Sequence, residues 1–402
     1  MHFLLANFHA HALWTGLFWI CAAAVAYAYA GYPLLLWVIT RFRKTSPSLP
    51  STTPSLTLLI AAHNEAAQIG RKLTESLALR YPKEKLQILV ASDGSTDETV
   101  AIVRSFAAQG VELVVIPEQA GKTNAQNAAM RVAKGEIVVF SDATTEYHPD
   151  ALQYLAGAFA DTKVGAVSGR YTYSDLNSDS ISEGSRAYAG YDNWLRDMQS
   201  KAGSLTGCCG CIYAVRRGFY TPLPAGIISD FVEPLHVLLQ GAQVKFEPRA
   251  FAREDVGHTT DKEFSMRVRV VARALTGLCS VREILNPFAH PWAALQIFSH
   301  KLLRYAIPVL LACVLLSSWM LRGMFAYQAI LIAQIVFYAA AMLAMIFPAL
   351  QKSKAFSLPM YFSVMNAAAL WGTVQFLRGD RYVTWKPQRS PSPEHGGYKH
   401  AR

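Results

Sequence analysis

Charged residues are scarce: only 16% of the 402 residues are Asp, Glu, Lys or Arg, while 52% are hydrophobic. That balance is too apolar for an ordinary soluble pair of domains and points to a membrane protein. Cysteine is equally short. Of the six, only Cys208, Cys209 and Cys211 cluster, and no second Cys/His pair stands at a suitable spacing, which argues against a zinc site. In a cytosolic domain these thiols should stay reduced. No zinc-finger spacing and no basic helix interleaved with aromatics is present, so the net charge of +10 is not read as a nucleic-acid footprint. Residues before Trp14 contain no Lys or Arg, so Ala28-Tyr29-Ala30-Gly31 lacks the positive n-region that a signal-peptidase site requires. No internal repeat is visible.

What the chain does have is apolar length. Residues 12–40, 302–320, 326–347 and 358–377 are near-continuous apolar stretches, each reaching the roughly 20 residues needed to cross a bilayer core. Arg41, Arg43 and Lys44 follow the first and place its carboxyl end in the cytoplasm. One span before a cytosolic block and three after it would put Arg378, Arg381, Lys386 and Arg389 outside, while Lys352 and Lys354 ask to be inside. Segment 358–377, which carries Asn366, Gly372 and Gln375, is therefore the candidate for an interfacial or re-entrant element. The expected organisation is a transmembrane helix over 1–43, a cytosolic domain over 44–285, an interfacial helix over 286–300, transmembrane helices over 301–380 and a basic polar tail over 381–402. A transporter is disfavoured, because the spans are read as free of charged residues.

Within the central block, strands at 56–61, 86–91, 111–116 and 136–140 alternate with helices at 64–79, 96–108 and 123–134. Alternation of this kind implies parallel crossovers and a doubly wound α/β domain. Asp93 and Asp142 follow the second and fourth strands, on the sheet edge where such folds bind ligands. Gly121 and Lys122 follow the third strand: glycine permits close backbone approach and lysine can reach a diphosphate. Asp142 is positioned to hold a divalent ion that bridges diphosphate oxygens. Arg269 and Arg273, one helical turn apart, could clamp a diphosphate. Each feature also has a plainer reading: Glu65, Asp93 and Asp230 could be turn or helix-capping residues.

Taken in order, Ala62-x-Asn64-Glu65, Asp93-Gly94-Ser95, Gly121-Lys122-x-x-Ala125-x-Asn127, Phe140-Ser141-Asp142-Ala143-Thr144, Gly210-x-x-Tyr213-Ala214-Val215-Arg216-Arg217 and the register after Asp230 resemble glycosyltransferase family 2. The similarity is to its membrane-embedded group of exopolysaccharide, poly-N-acetylglucosamine, cellulose and hyaluronan synthases. The resemblance implies a nucleotide-binding GT-A domain embedded between transmembrane helices, in a bacterial inner membrane with the catalytic domain cytosolic. It implies that Glu65 and Asp93 contact the nucleoside, Lys122 the base or phosphates, Asp142 a Mn or Mg ion and the donor, and that Asp230 is the general base. The implied reaction is inverting transfer of a sugar from a UDP-linked donor to a lipid-linked or glycan acceptor, with partner synthase subunits as further expected contacts. Three departures stand out. Thr144 occupies the place of a second aspartate, leaving His258 as a conjectural extra ligand. Ser229 replaces an acidic residue before Asp230. The Q-x-x-R-W segment of processive synthases is missing, which puts long-chain synthesis in doubt. A polyprenyl-phosphate monosaccharide transferase and an inactive nucleotide-sugar-binding regulator of a synthase are the alternatives.

Overall fold

The computed structural model describes residues 2–43, 53–173, 180–254, 260–380 and 382. His258, residues 44–52 and all of the basic tail but Tyr382 lie outside the described residues.

The chain begins with helix α1 (His2–Ala26), which continues through a five-residue π-helical turn, Tyr27–Gly31, into α2 (Tyr32–Arg41). The supposed cleavage site thus lies mid-helix, with Ala28 and Tyr32 buried. The central block follows as β1 (Leu56–Ala62), α3 (Ala66–Ala78), β2 (Leu86–Asp93), α4 (Thr99–Ser105), β3 (Val111–Ile116), α5 (Lys122–Met130), β4 (Ile137–Asp142), β5 (Thr145–Tyr147), α6 (Ala151–Ala158), β6 (Val164–Tyr173), α7 (Ser180–Lys201), β7 (Ile212–Arg216), α8 (Ser229–Leu239) and β8 (Gln243–Glu254). After it come α9 (Thr260–Ser280), α10 (Pro291–Ile297), a second π turn Phe298–Leu302, α11 (Leu303–Met320), α12 (Phe325–Ile346) and α13 (Lys354–Arg378).

The eight strands form one sheet in the order β3-β2-β1-β4-β7-β6-β8-β5. Its first half, β3 to β4, is parallel as the alternation implies. Every residue of β1 is buried, the expected state of a strand covered on both faces. Successive side chains feed opposite sides: Leu58 and Ile60 join one core, Leu59 with Leu89 the other. The second half is mixed. β7 runs antiparallel to both β4 and β6, β8 runs parallel to β6, and β5 closes the edge antiparallel to β8. Register brings Ala61 opposite Asp142 and Ala62 opposite Ser92, so β2 and β4 deliver Asp93 and Asp142 to the same edge.

Three helical stretches among the described residues are long and apolar enough to cross a membrane: His11–Arg41, Pro291–Met320 and Phe325–Ile346. Two expectations change here. The interfacial helix expected over 286–300 is not separate, because α10 runs through the π turn into α11 as one 30-residue helix. Segment 358–377 keeps only the interfacial one of its two readings, since α13 is continuous over 25 residues and does not turn back. It packs against the domain: Gly372 lies so close to α9 that a Cβ there would sit 2.7 Å from the Val268 carbonyl oxygen. The spans are not free of charge either, because Lys301 and Arg304 fall within Pro291–Met320, near the end that meets the domain.

Candidate active site

Two turns at the carboxyl edge of the sheet interlock. Asn64 takes up a left-handed conformation, φ 55°, which Asn tolerates better than most residues. From there its Oδ1 accepts the backbone N–H groups of Thr96 at 2.8 Å and Asp97 at 3.3 Å. His63 Nδ1 donates to the Asp93 carbonyl oxygen at 2.5 Å. Glu65 is buried at the mouth of α3, its own N–H donating to Thr99 Oγ1 at 2.8 Å. At Gly94, φ 61°, a Cβ would lie 2.3 Å from the Gln119 nitrogen, so only glycine lets the loop after β3 cross there.

Asp93 itself is fully buried. Its two carboxylate oxygens accept the N–H groups of Ala120 and Gly121, each at 2.8 Å. Nucleoside contact is the role the resemblance implies, but in this conformation the carboxylate presents no surface to a ligand. What it holds is the loop that launches α5, and with it Lys122.

The Lys122 ammonium is ion-paired with Asp142 at the end of β4. Burial alone would lower its pKa, but the Asp142 carboxylate, with Asp230 behind it, turns the net direction upward. Two further charged groups here carry no sequence signature. Lys72 of α3 donates to the Thr145 carbonyl at 2.5 Å, lies over the Tyr147 ring, and is lowered to about 8 by burial. Glu254, the last residue of β8, pairs in register with Thr145. Burial, reinforced by the nearby Asp142, raises it to about 7. Spacing could not reveal Glu254, because 112 positions in sequence separate it from Asp142 and only the β5–β8 pairing joins them.

Asp230 opens α8. Capping does not explain it: the helix has no side-chain cap bond, and among the described residues no hydrogen bond to its carboxylate occurs. The Asp230 carbonyl accepts Cys208 N–H at 2.8 Å, and Gly210 lies under the carboxylate, where a Cβ would sit 2.5 Å from Oδ2. Burial pushes the Asp230 pKa up, while Lys122, Lys301, Arg196 and Arg273 pull against it. A carboxylate that is unclasped and less acidic than usual suits proton acceptance.

The two arginines separate. Arg273 donates to the carbonyls of Ile227 at 2.7 Å and Gly226 at 3.3 Å, so its guanidinium fastens the loop preceding Asp230 rather than standing open for a diphosphate. Thr123 Oγ1 donates to the same Ile227 carbonyl, and Asn127 Nδ2 to Leu223, which joins α5 to this loop. Arg269 has no hydrogen-bond partner among the described residues and is left as the one of the pair that can meet phosphate; burial lowers its pKa.

Among the described residues no group of three His, Cys, Asp or Glu side chains stands ready for a metal. Asp142 and Glu254 nevertheless fit a hard cation that takes one or two carboxylates and completes its shell with phosphate and water.

Residues 57–221 match the glycosyl transferase family 2 model. A beta-monoglucosyldiacylglycerol synthase of Nostoc is 28% identical over 184 residues, covering 45% of this chain and 39% of that protein. A poly-beta-1,6-N-acetyl-D-glucosamine synthase of Staphylococcus aureus is 28% identical over 220 residues, covering 53% of each. The chain thus spans about half or less of the length of these curated relatives. The solved mannosyltransferase PcManGT of Pyrobaculum calidifontis, in complex with GDP-Man and Mn2+, superposes with a TM-score of 0.68 at 24% identity, over 90% of this chain and 99% of that one. The fold is therefore GT-A, and the likeness extends through the flanking helices.

Proposed function

We propose that this chain, whose residues 57–221 form a family 2 glycosyltransferase domain, moves a sugar from a nucleotide-sugar to a hydroxyl of a membrane-associated acceptor, with inversion. The observation that carries this reading is the unclasped Asp230 carboxylate in electrostatic reach of Lys122, which is itself paired with Asp142. The acceptor oxygen forms a bond to the anomeric carbon as its proton passes to Asp230. The bond from that carbon to the diphosphate breaks, and its electron pair leaves with the nucleoside diphosphate. Lys122 and Arg269 meet the charge that develops on the departing phosphates. A Mn2+ or Mg2+ ion held by Asp142 and Glu254 would add to that neutralisation. Asp93, Gly94 and Arg273 act on the reaction by fixing the loops that carry Lys122 and Asp230.

The three apolar stretches give a topology that satisfies the basic residues. With the domain cytosolic, the first span enters, the second leaves and the third returns, so Arg41, Lys352, Lys354 and Arg378 all lie on one side. α13 then remains with the domain, where it contacts α9. The relatives include a glucosyl-lipid synthase, a poly-N-acetylglucosamine synthase and a mannosyltransferase bound to GDP-Man; for this chain a UDP-linked donor is proposed.

Incubating the purified protein in phospholipid with Mn2+ and a panel of radiolabelled UDP- and GDP-linked sugars tests the reading. One donor should label a lipid or glycan product. Tight nucleoside-diphosphate binding with no transfer from any donor would favour the regulator alternative instead.

A further inference from the structure

Where the domain meets the membrane helices, a cavity of about 860 Å³ opens between α7, α9, α11, α12 and α13. Its two ends differ in chemistry. The far end is walled by Leu311, Phe337, Leu358, Phe362 and Met365, all from the last three helices. The near end carries Asp192, Arg267, Lys301 and Arg304. Two of these charges are answered within the protein: Asp192 accepts Arg196 Nε at 2.8 Å, and Arg267 is paired with Glu263 at 3.0 Å.

Lys301 and Arg304 are not. The Lys301 ammonium lies over the Phe231 ring, 5.2 Å from its centroid. Arg304 stacks on Tyr191 and donates one N–H to the Tyr191 hydroxyl at 3.0 Å. Neither has a carboxylate within ion-pair distance among the described residues, and Arg304 Nε is buried without an acceptor. Asp192 reaches both only at longer range, as Asp230 does Lys301; half-buried cations with no carboxylate in contact are costly, and the cavity is where a contacting counter-charge can enter. The π turn at Phe298–Leu302 brings Lys301 to this face; such turns inside long helices recur at functional sites. Phe231 follows Asp230 in α8, so the cationic end of the cavity adjoins the proposed base.

Two unanswered cations, a guanidinium fork and a point charge one helical turn apart, match a phosphate group. An apolar chamber behind them matches hydrocarbon. We propose that the cavity holds the acceptor, a lipid whose headgroup carries a phosphate bound by Lys301 and Arg304 and, beyond it, a hydroxyl that reaches Asp230. This rests on the proposed sugar transfer only in calling the lipid an acceptor.

Binding is therefore measured without donor, on the purified full chain in neutral detergent. The probes are radiolabelled phosphatidylglycerol, diacylglycerol (chains without phosphate) and glycerol 3-phosphate (headgroup without chains). Phosphatidylglycerol should bind saturably, about tenfold or more tighter than either of the others. Arg304→Met should weaken it by about tenfold and leave diacylglycerol unaffected. Ala333→Trp, which fills the apolar end, should block phosphatidylglycerol while nucleoside-diphosphate binding persists; it keeps the test decisive if Arg304→Met does not fold. Equal binding of diacylglycerol makes the site one for neutral lipid, equal binding of glycerol 3-phosphate makes it one for free phosphate, and an Arg304→Met protein that binds phosphatidylglycerol normally removes the cationic anchor. Any of the three overturns the proposal. If phosphatidylglycerol binds as described and no sugar is ever transferred, the cavity assignment stands and the transferase reading falls.

Discussion

Asp93 and Asp230 are both acidic residues that stand beside loops, and their surroundings give them opposite tasks. Asp93 spends both oxygens on the N–H groups of Ala120 and Gly121, whereas the Asp230 carboxylate has no such clasp. Sequence makes both visible as acidic residues in family-like motifs, but cannot show which side chain is enclosed, because enclosure depends on a loop more than 20 positions away. Asp93→Ala should cost roughly 3–6 kcal/mol of stability from two lost charge-assisted bonds, and donor affinity should fall with it as Lys122 loses its platform. Thermal unfolding checks this; weakened donor binding at unchanged stability would instead indicate direct contact with the nucleoside. Glu233 provides a pH test. Burial raises it to about 8, one oxygen accepts Thr221 N–H at 2.9 Å, and the other is buried without a partner. Its folded pKa lies above the ordinary value of 4.5, so the folded state holds a proton that the unfolded state releases. Stability from this group is full below about 4.5 and declines as pH rises toward about 8. Glu233→Gln should remove that decline, so that the variant melts above the parent at pH 8 and close to it at pH 5.

Among elements, the first four strands are legible because each is an apolar run of β-branched and aliphatic residues between helices, and parallel pairing follows from the alternation. The second half of the sheet is not legible in this way. β5 has only three residues, and β8 alternates buried and exposed positions around Pro248 with a register shift opposite Gly169 and Arg170. Glu254 is hidden for the same reason, since the pairing of β5 with β8 is what carries it to Asp142. In the Gly/Cys-rich segment before β7, Cys208–Cys211 form a turn whose purpose is visible only in three dimensions, with Gly210 flat against Asp230. Gly210→Ala would push the carboxylate aside, since the new Cβ would be 2.5 Å from Oδ2. Turnover should fall by about 10²-fold, the scale of a misplacement near 1 Å, with nucleoside-diphosphate affinity unchanged. Paired kinetic and calorimetric measurements on the variant check it, and loss of both together would mean that the turn supports the donor site as well.

At the scale of the whole molecule, a GT-A domain is clamped between a helix that precedes it and three that follow, and the contact between α9 and α13 joins domain to bundle. Hydropathy located the apolar stretches, and the polar residues Asn366, Gly372 and Gln375 set the last one apart; that it is a continuous helix packed on α9 is visible only in three dimensions. Hydropathy passed over Arg304, whose charge is tolerable only because α11 meets a cavity and not bare lipid. In the proposed function, domain, base and cavity together bring a nucleotide-sugar donor to a membrane-associated acceptor, and the central element of that proposal is Asp230. The most direct test compares the parent protein with Asp230→Asn in defined lipid, following labelled sugar from the nucleotide into membrane-associated product while donor affinity is measured in parallel. Loss of transfer by about 10²–10⁴-fold at nearly unchanged donor affinity is the expected result; an Asp230→Asn protein that transfers sugar at the parental rate would contradict it.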